Sequence, residues 1–212
     1  MRIALIHALH HSLPPIAAAF ARHWPDAELM NLLDDSLSAD LARDGGLTRG
    51  MTARFLKLGR YATGTGADAI LFTCSAFGPC IEAVARAERP IPVLKPNEAM
   101  IEQAVTKGRR IGLLSTFAPT LASMPREFPE SVQVVPKLAD GALAALDRGD
   151  AAEHDRLIAE AAQSLRDCDV IALAQFSMAR AAPLVAQASS QPVLTSPESA
   201  VRKLREMLSV PA

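Results

Sequence analysis

Cys74 stands directly after an apolar run, in Phe72-Thr73-Cys74-Ser75-Ala76-Phe77-Gly78-Pro79-Cys80. A thiol there could be an acid–base group or a nucleophile, because backbone N–H groups at a helix start can tune its pKa. It could equally be a small buried hydrophobe ahead of a turn, since free cysteine is among the most buried residue types. Cys80, inside a helical stretch, and Cys168, just before a strand, read as structural. The three cysteines show no CxxC spacing, which speaks against disulfides and a zinc site. His7, His10 and His11 in His7-Ala8-Leu9-His10-His11 have no acidic partner nearby in sequence and no fixed geometry in a loop, so no metal site is expected. His7 and His11 are instead expected as substrate contacts or proton donors. Ser115 and Thr116 could form an oxyanion nest or cap a helix. Gln175 offers an amide donor, and Ser177 and the pair Asp34-Asp35 also fall at strand ends. Gly64-Thr65-Gly66 lacks dinucleotide spacing and reads as a helix stop.

The elements that must position these groups follow from hydrophobic patterning. Short apolar runs at 2–6, 28–33, 68–73, 91–94, 110–115, 132–136, 169–174 and 191–194 read as buried strands. Helical stretches alternate with them. Ser12 precedes Pro14-Pro15, Asn97 precedes a run closed by Gly108, and Ser196-Pro197-Glu198 opens the last helix. Strands alternating with helices imply an α/β fold with parallel sheets.

The chain also resembles itself. Arg2-Ile3-Ala4-Leu5-Ile6-His7 lies over Arg110-Ile111-Gly112-Leu113-Leu114-Ser115, and Pro25 lies over Pro129. Asp68-Ala69-Ile70-Leu71 lies over Asp169-Val170-Ile171-Ala172, and Pro92-Val93-Leu94 over Pro192-Val193-Leu194. Four matches in one order point to two pseudo-symmetric α/β lobes, each a short parallel sheet flanked by helices. The first is expected at 1–96, completed by the C-terminal helix from about 196 to 212, and the second at 97–195. In open α/β sheets ligands bind beyond the carboxyl ends of the strands, so an interlobe cleft is the expected active site. There His7-Ala8 answers Ser115-Thr116, and Thr73-Cys74-Ser75 answers Ala174-Gln175-Phe176. The symmetry mate of Cys74 is Gln175.

This pattern resembles the aspartate/glutamate/hydantoin racemase superfamily, which includes maleate isomerases and arylmalonate decarboxylases. The segment 68–78 is similar to its first cysteine motif, 110–120 to its central strand and Thr-rich turn, and 169–178 to its second cysteine motif, with Gln175 replacing the thiol. The resemblance implies cofactor-independent carbanion chemistry at the carbon beside a carboxylate of a small acid. It makes Cys74 the catalytic thiol and gives the carboxylate to Ser75, Ser115, Thr116, Gln175 and Ser177, with His7 or His11 auxiliary. One thiol makes decarboxylation or isomerisation fit better than two-base racemisation. A carboxylate-binding protein without catalysis is the rival: a low Cys74 pKa would mark catalysis, an inert buried thiol binding alone.

Composition narrows the partners. With 22 basic and 23 acidic residues the net charge is −1, and aromatics make up 4%, so neither polyanion binding nor base stacking is expected. The apolar runs are strand-length, so no membrane span is expected, and the start of the chain, with histidines interrupting its apolar stretch, lacks a signal-peptide pattern. These features predict a cytoplasmic protein, and the resemblance implies a small carboxylic-acid substrate and no cofactor. Association into homo-oligomers is left open.

Overall fold

Strands such as Ile3-Ala4-Leu5-Ile6 and Val170-Ile171-Ala172-Leu173 are apolar at every position, the pattern of parallel strands covered on both faces. In the computed structural model, which describes residues 1–209, these side chains are fully or almost fully buried. The first elements are β1 (Arg2–His7), α1 (Leu13–His23), β2 (Glu28–Leu33), α2 (Ser36–Asp44), α3 (Arg49–Gly64), β3 (Ala69–Phe72), α4 (Gly78–Ala87) and β4 (Val93–Leu94). There follow α5 (Glu98–Lys107), β5 (Arg110–Ser115), α6 (Ala118–Ser123), β6 (Gln133–Leu138), α7 (Ala142–Asp147) and α8 (Ala151–Ala162). The chain continues through β7 (Val170–Leu173), α9 (Ala182–Ser189), β8 (Val193–Thr195) and α10 (Ser196–Ser209). All eight expected strands are present.

The strands form two four-stranded parallel sheets, ordered β2-β1-β3-β4 and β6-β5-β7-β8. The chain divides into two compact units, Met1–Pro96 with the stretch from Ala200 onward, and Asn97–Ser199. In the first, Phe55 stacks against Phe72 and Phe77 at ring-centroid distances of 5.3 and 5.0 Å, tying α3 to the end of β3. In the second, Ile158, Ala162, Leu165, Ile171 and Leu173 pack α8 and its C-terminal turn against β7.

The amino ends of the sheets are closed by one device used twice. Asp68 Oδ2 accepts the backbone N–H of Arg2 at 2.7 Å, and Asp169 Oδ2 accepts those of Arg109 and Arg110, each at 2.8 Å. These two N–H donors hold the Asp169 carboxyl below the usual carboxylate range. Gly108 is glycine for the same reason: a Cβ there would lie 2.2 Å from Asp169 Cβ.

Two expected helix caps are used otherwise. The Ser12 side chain makes no cap bond to α1 and turns to His7 and Thr73, while Asn97 leaves α5 uncapped and accepts from Ser196 Oγ at 2.6 Å. Buried hydroxyls and amides must be satisfied, and the nearest tertiary partner displaced the local one. Thr48 and Asp150 do cap, accepting from the N–H of Met51 and Glu153.

Candidate active site

The carboxyl ends of the strands carry two sets of polar groups, one in each unit. In the first, β1 ends on His7, which is wholly buried. Its Nδ1 lies 2.8 Å from Ser12 Oγ and 2.9 Å from Thr73 Oγ1, and its Nε2 lies 3.0 Å from Asn31 Oδ1. An amide oxygen can only accept, so Nε2 bears the proton and Nδ1 accepts from one of the two hydroxyls. Burial pushes the His7 pKa down, partly offset by the bond to Asn31, so the ring is neutral near pH 7. His7 thus sits behind the strand ends, locked to β2 and β3.

Thr73 leads directly to Cys74, where β3 gives way to a 3-10 turn at Ser75–Phe77 and then α4. Cys74 is partly exposed as a residue, but its sulfur is enclosed. A narrow apolar crevice with no room for water surrounds it, lined by Ile6, Ala8, Leu37, Phe55, Phe72 and Phe77, with His7 at its edge. Burial pushes the thiol pKa up, opposed by a hydrogen bond from the Ala76 backbone N–H. Ser75 is half-buried beside it in the turn.

In the second unit, three of the expected residues meet at one atom. Gln175 Oε1 accepts from Ser115 Oγ at 2.9 Å, from the Thr116 backbone N–H at 2.7 Å and from Thr116 Oγ1 at 2.9 Å. Ser115 Oγ also accepts from the Phe117 N–H at 3.0 Å, which fixes the turn after β5. Ser115 and Thr116 are buried and Gln175 is half-buried. Ser177 lies two residues further on, half-buried in the 3-10 segment Phe176–Ala181.

The remaining candidates lie in the turns next to the first set: the Asp34 backbone N–H donates to the His7 carbonyl at 3.0 Å, and His10 and His11 share a 3-10 turn with Ser12. His10, exposed, has Nε2 3.6 Å from Asp35 Oδ2, and His11 is half-buried in the same turn. Asp34 is taken by Arg54 at 2.5 Å and Ser36 at 2.7 Å. Among the described residues no group of three or more His, Cys, Asp or Glu side chains is placed to hold a metal ion. No described helix is long and apolar enough to cross a membrane.

Two participants escaped the sequence reading, Ser12 and Asn31, while Thr73 was placed at the strand end without its bond to His7. Asn31 left a trace, as the one amide inside the apolar strand Glu28-Leu29-Met30-Asn31-Leu32-Leu33. Ser12 left none, because its local context is that of a helix cap.

Two parallel sheets, each with a thiol or amide at the end of its third strand, define a two-lobed α/β architecture of the racemase type. The sequence profile of the Asp/Glu/hydantoin racemase family matches residues 13–204, and the chain belongs to that family. No curated protein matches it in sequence. Among solved structures, allantoin racemase from Klebsiella pneumoniae superposes with a TM-score of 0.74 at 21% identity, covering 99% of this chain and 88% of that one. Aspartate racemase from Picrophilus torridus gives 0.74 at 13% identity, covering 97% and 93%. Unliganded arylmalonate decarboxylase gives 0.64 at 18% identity, covering 100% and 94%. At these identities the likeness is one of fold.

Proposed function

We propose that the chain is a cofactor-independent enzyme of the racemase superfamily. It acts at the carbon beside a carboxylate of a small acid, with Cys74 as its one reacting thiol. Ser75, Ser115, Thr116, Gln175 and Ser177 serve the carboxylate, and His7 holds the Cys74 strand end from behind through Thr73. His11 remains an auxiliary group. The observation that carries this reading is the asymmetry of the third strand ends, a thiol after β3 and a carboxamide after β7. Gln175 cannot exchange protons at neutral pH, so the two matching strand ends offer one proton-transfer group where a pair of thiols would offer two.

The raised pKa supports a direction. A thiol that stays protonated near neutrality suits delivery of a proton to a carbanion, whereas abstraction needs the thiolate. In the decarboxylase form, the bond to the departing carboxylate breaks and CO2 leaves. Its electron pair passes into an enediolate, and the Cys74 S–H gives its proton to the carbon. Solvent then reprotonates the thiolate. The likeness in fold to arylmalonate decarboxylase agrees with this form, and racemase or isomerase chemistry through the same enediolate is the broader reading.

Incubation in D2O with phenylmalonate, maleate, aspartate and glutamate, followed by NMR, tests it. Deuterium should enter at the carbon beside the carboxylate, and Cys74→Ala should abolish this. Turnover that survives Cys74→Ala would sink the mechanism. The same burial of the thiol favours a second reading, a carboxylate-binding protein without catalysis. Binding of these acids with no exchange in any of them would establish that one instead.

A further inference from the structure

We infer that Gln175 is the donor that meets the carboxylate of the acid, and that Ser115 and Thr116 act through it as positioning residues. This rests on the reading above and divides its donor set by role. The argument is a count of hydrogens. Thr116 has one backbone N–H and one hydroxyl proton, and both go to Gln175 Oε1, at 2.7 and 2.9 Å. Ser115 has a single hydroxyl proton, shared between Gln175 Oε1 at 2.9 Å and the Phe117 carbonyl at 3.0 Å. Neither residue has a donor left for a ligand unless its bond to Gln175 is given up.

The carboxamide has the opposite balance. Its oxygen is saturated, while its nitrogen carries two N–H groups that make no hydrogen bond among the described residues. The three converging donors also settle which end of the amide is oxygen, since a nitrogen there would face three hydrogens. Gln175 keeps partial exposure at the end of β7, on extended backbone with φ −132° and ψ 147°. Two N–H groups held in advance by three hydrogen bonds match the need of a carboxylate turning into an enediolate, because no donor must be reoriented during reaction. The position at which the family resemblance implies a second thiol carries a fixed oxyanion donor here.

The test is a double-mutant cycle on the full chain, read by calorimetric titration with phenylmalonate and maleate, with thermal unfolding of each variant recorded alongside. Gln175→Ala should weaken binding roughly tenfold. Gln175→Glu keeps an acceptor for Ser115 and Thr116, and with it the local fold, but turns a carboxylate toward a carboxylate. It should weaken binding more than about a hundredfold at pH 7. Thr116→Val should cost about three- to tenfold in the natural background and nothing further beside Gln175→Ala. An equal cost of Thr116→Val in both backgrounds would mean that Thr116 touches the ligand itself, and the inference would fall. Tighter binding by Gln175→Ala would also overturn it, by showing that the amide oxygen plugs the nest rather than bracing a donor. Absence of binding by both acids to the unaltered protein, together with absence of deuterium exchange, would remove the carboxylate site itself and the inference with it.

Discussion

An enclosed thiol loses the hydration that favours its anion, and in Cys74 one backbone N–H, from Ala76, offsets this only in part. The raised pKa has a direct signature. Alkylation of Cys74 by iodoacetamide should be slow at pH 7–8 and rise only above the ordinary thiol value of ~8.5, with the site followed by peptide mass spectrometry. Activity that uses the S–H as acid should likewise hold through neutral pH and fall only on ionisation at higher pH. Rapid labelling at pH 7 would show a thiolate and reverse the assignment of Cys74 as an acid. Gln175 makes the complementary case. On the proposed mechanism Gln175→Cys should add a second proton-transfer group and introduce racemisation, measured as loss of optical rotation in D2O with an enantiopure acid. Both residues were legible in the chain as a matched pair. The hydrogen-bond partners of His7 were not, because Ser12, Thr73 and Asn31 reach it across 5, 66 and 24 residues.

The strands and helices owe their places to patterning that a reader of the chain can follow. All eight strands lie within or overlap the apolar runs that announce them. Their ends were less legible, since β3 and β7 each leave the ladder one position before the end of the expected run to enter the turns that carry Cys74 and Gln175. Capping was the weakest part of the reading. Ser12 and Asn97 have the right residue types before a helix, and tertiary partners claim both. Gly108 belongs to this scale as well. It reads from sequence as a helix stop, yet its φ of 176° is extended backbone open to any residue, and contact with Asp169 is what excludes a side chain. Gly108→Ala should cost about 1–3 kcal/mol by overpacking, read by urea denaturation. Since Asp169 also holds the N–H groups of Arg109 and Arg110, the amides of β5 should lose hydrogen-exchange protection in that variant.

At the scale of the whole chain, the first unit is assembled from both ends of the sequence, Met1–Pro96 and the stretch from Ala200. In α10, Ala200, Val201 and Leu204 are wholly buried, and Arg205 donates to the His23 carbonyl at 2.8 Å. Leu204→Ala should therefore destabilise the fold by about 2–4 kcal/mol. Amide exchange followed by mass spectrometry should show the loss in peptides from α1 as well as α10. A loss confined to α10 would mean that the helix adds nothing to the unit in which its buried face lies.

The amino-acid sequence by itself determined the α/β class, the eight strands, the matching places of Cys74 and Gln175 just after β3 and β7, and membership of the racemase family. These are carried by local periodicity and by motifs a few residues long, which survive reading in one dimension. Tertiary structure alone decided that His7 is a buried hub, that burial pushes the Cys74 thiol pKa up, and that Ser115 and Thr116 spend their hydrogens on Gln175. Each of those depends on burial or on a contact between residues about sixty positions apart, and hydration and long-range hydrogen bonding have no expression in the order of the residues until the chain has folded.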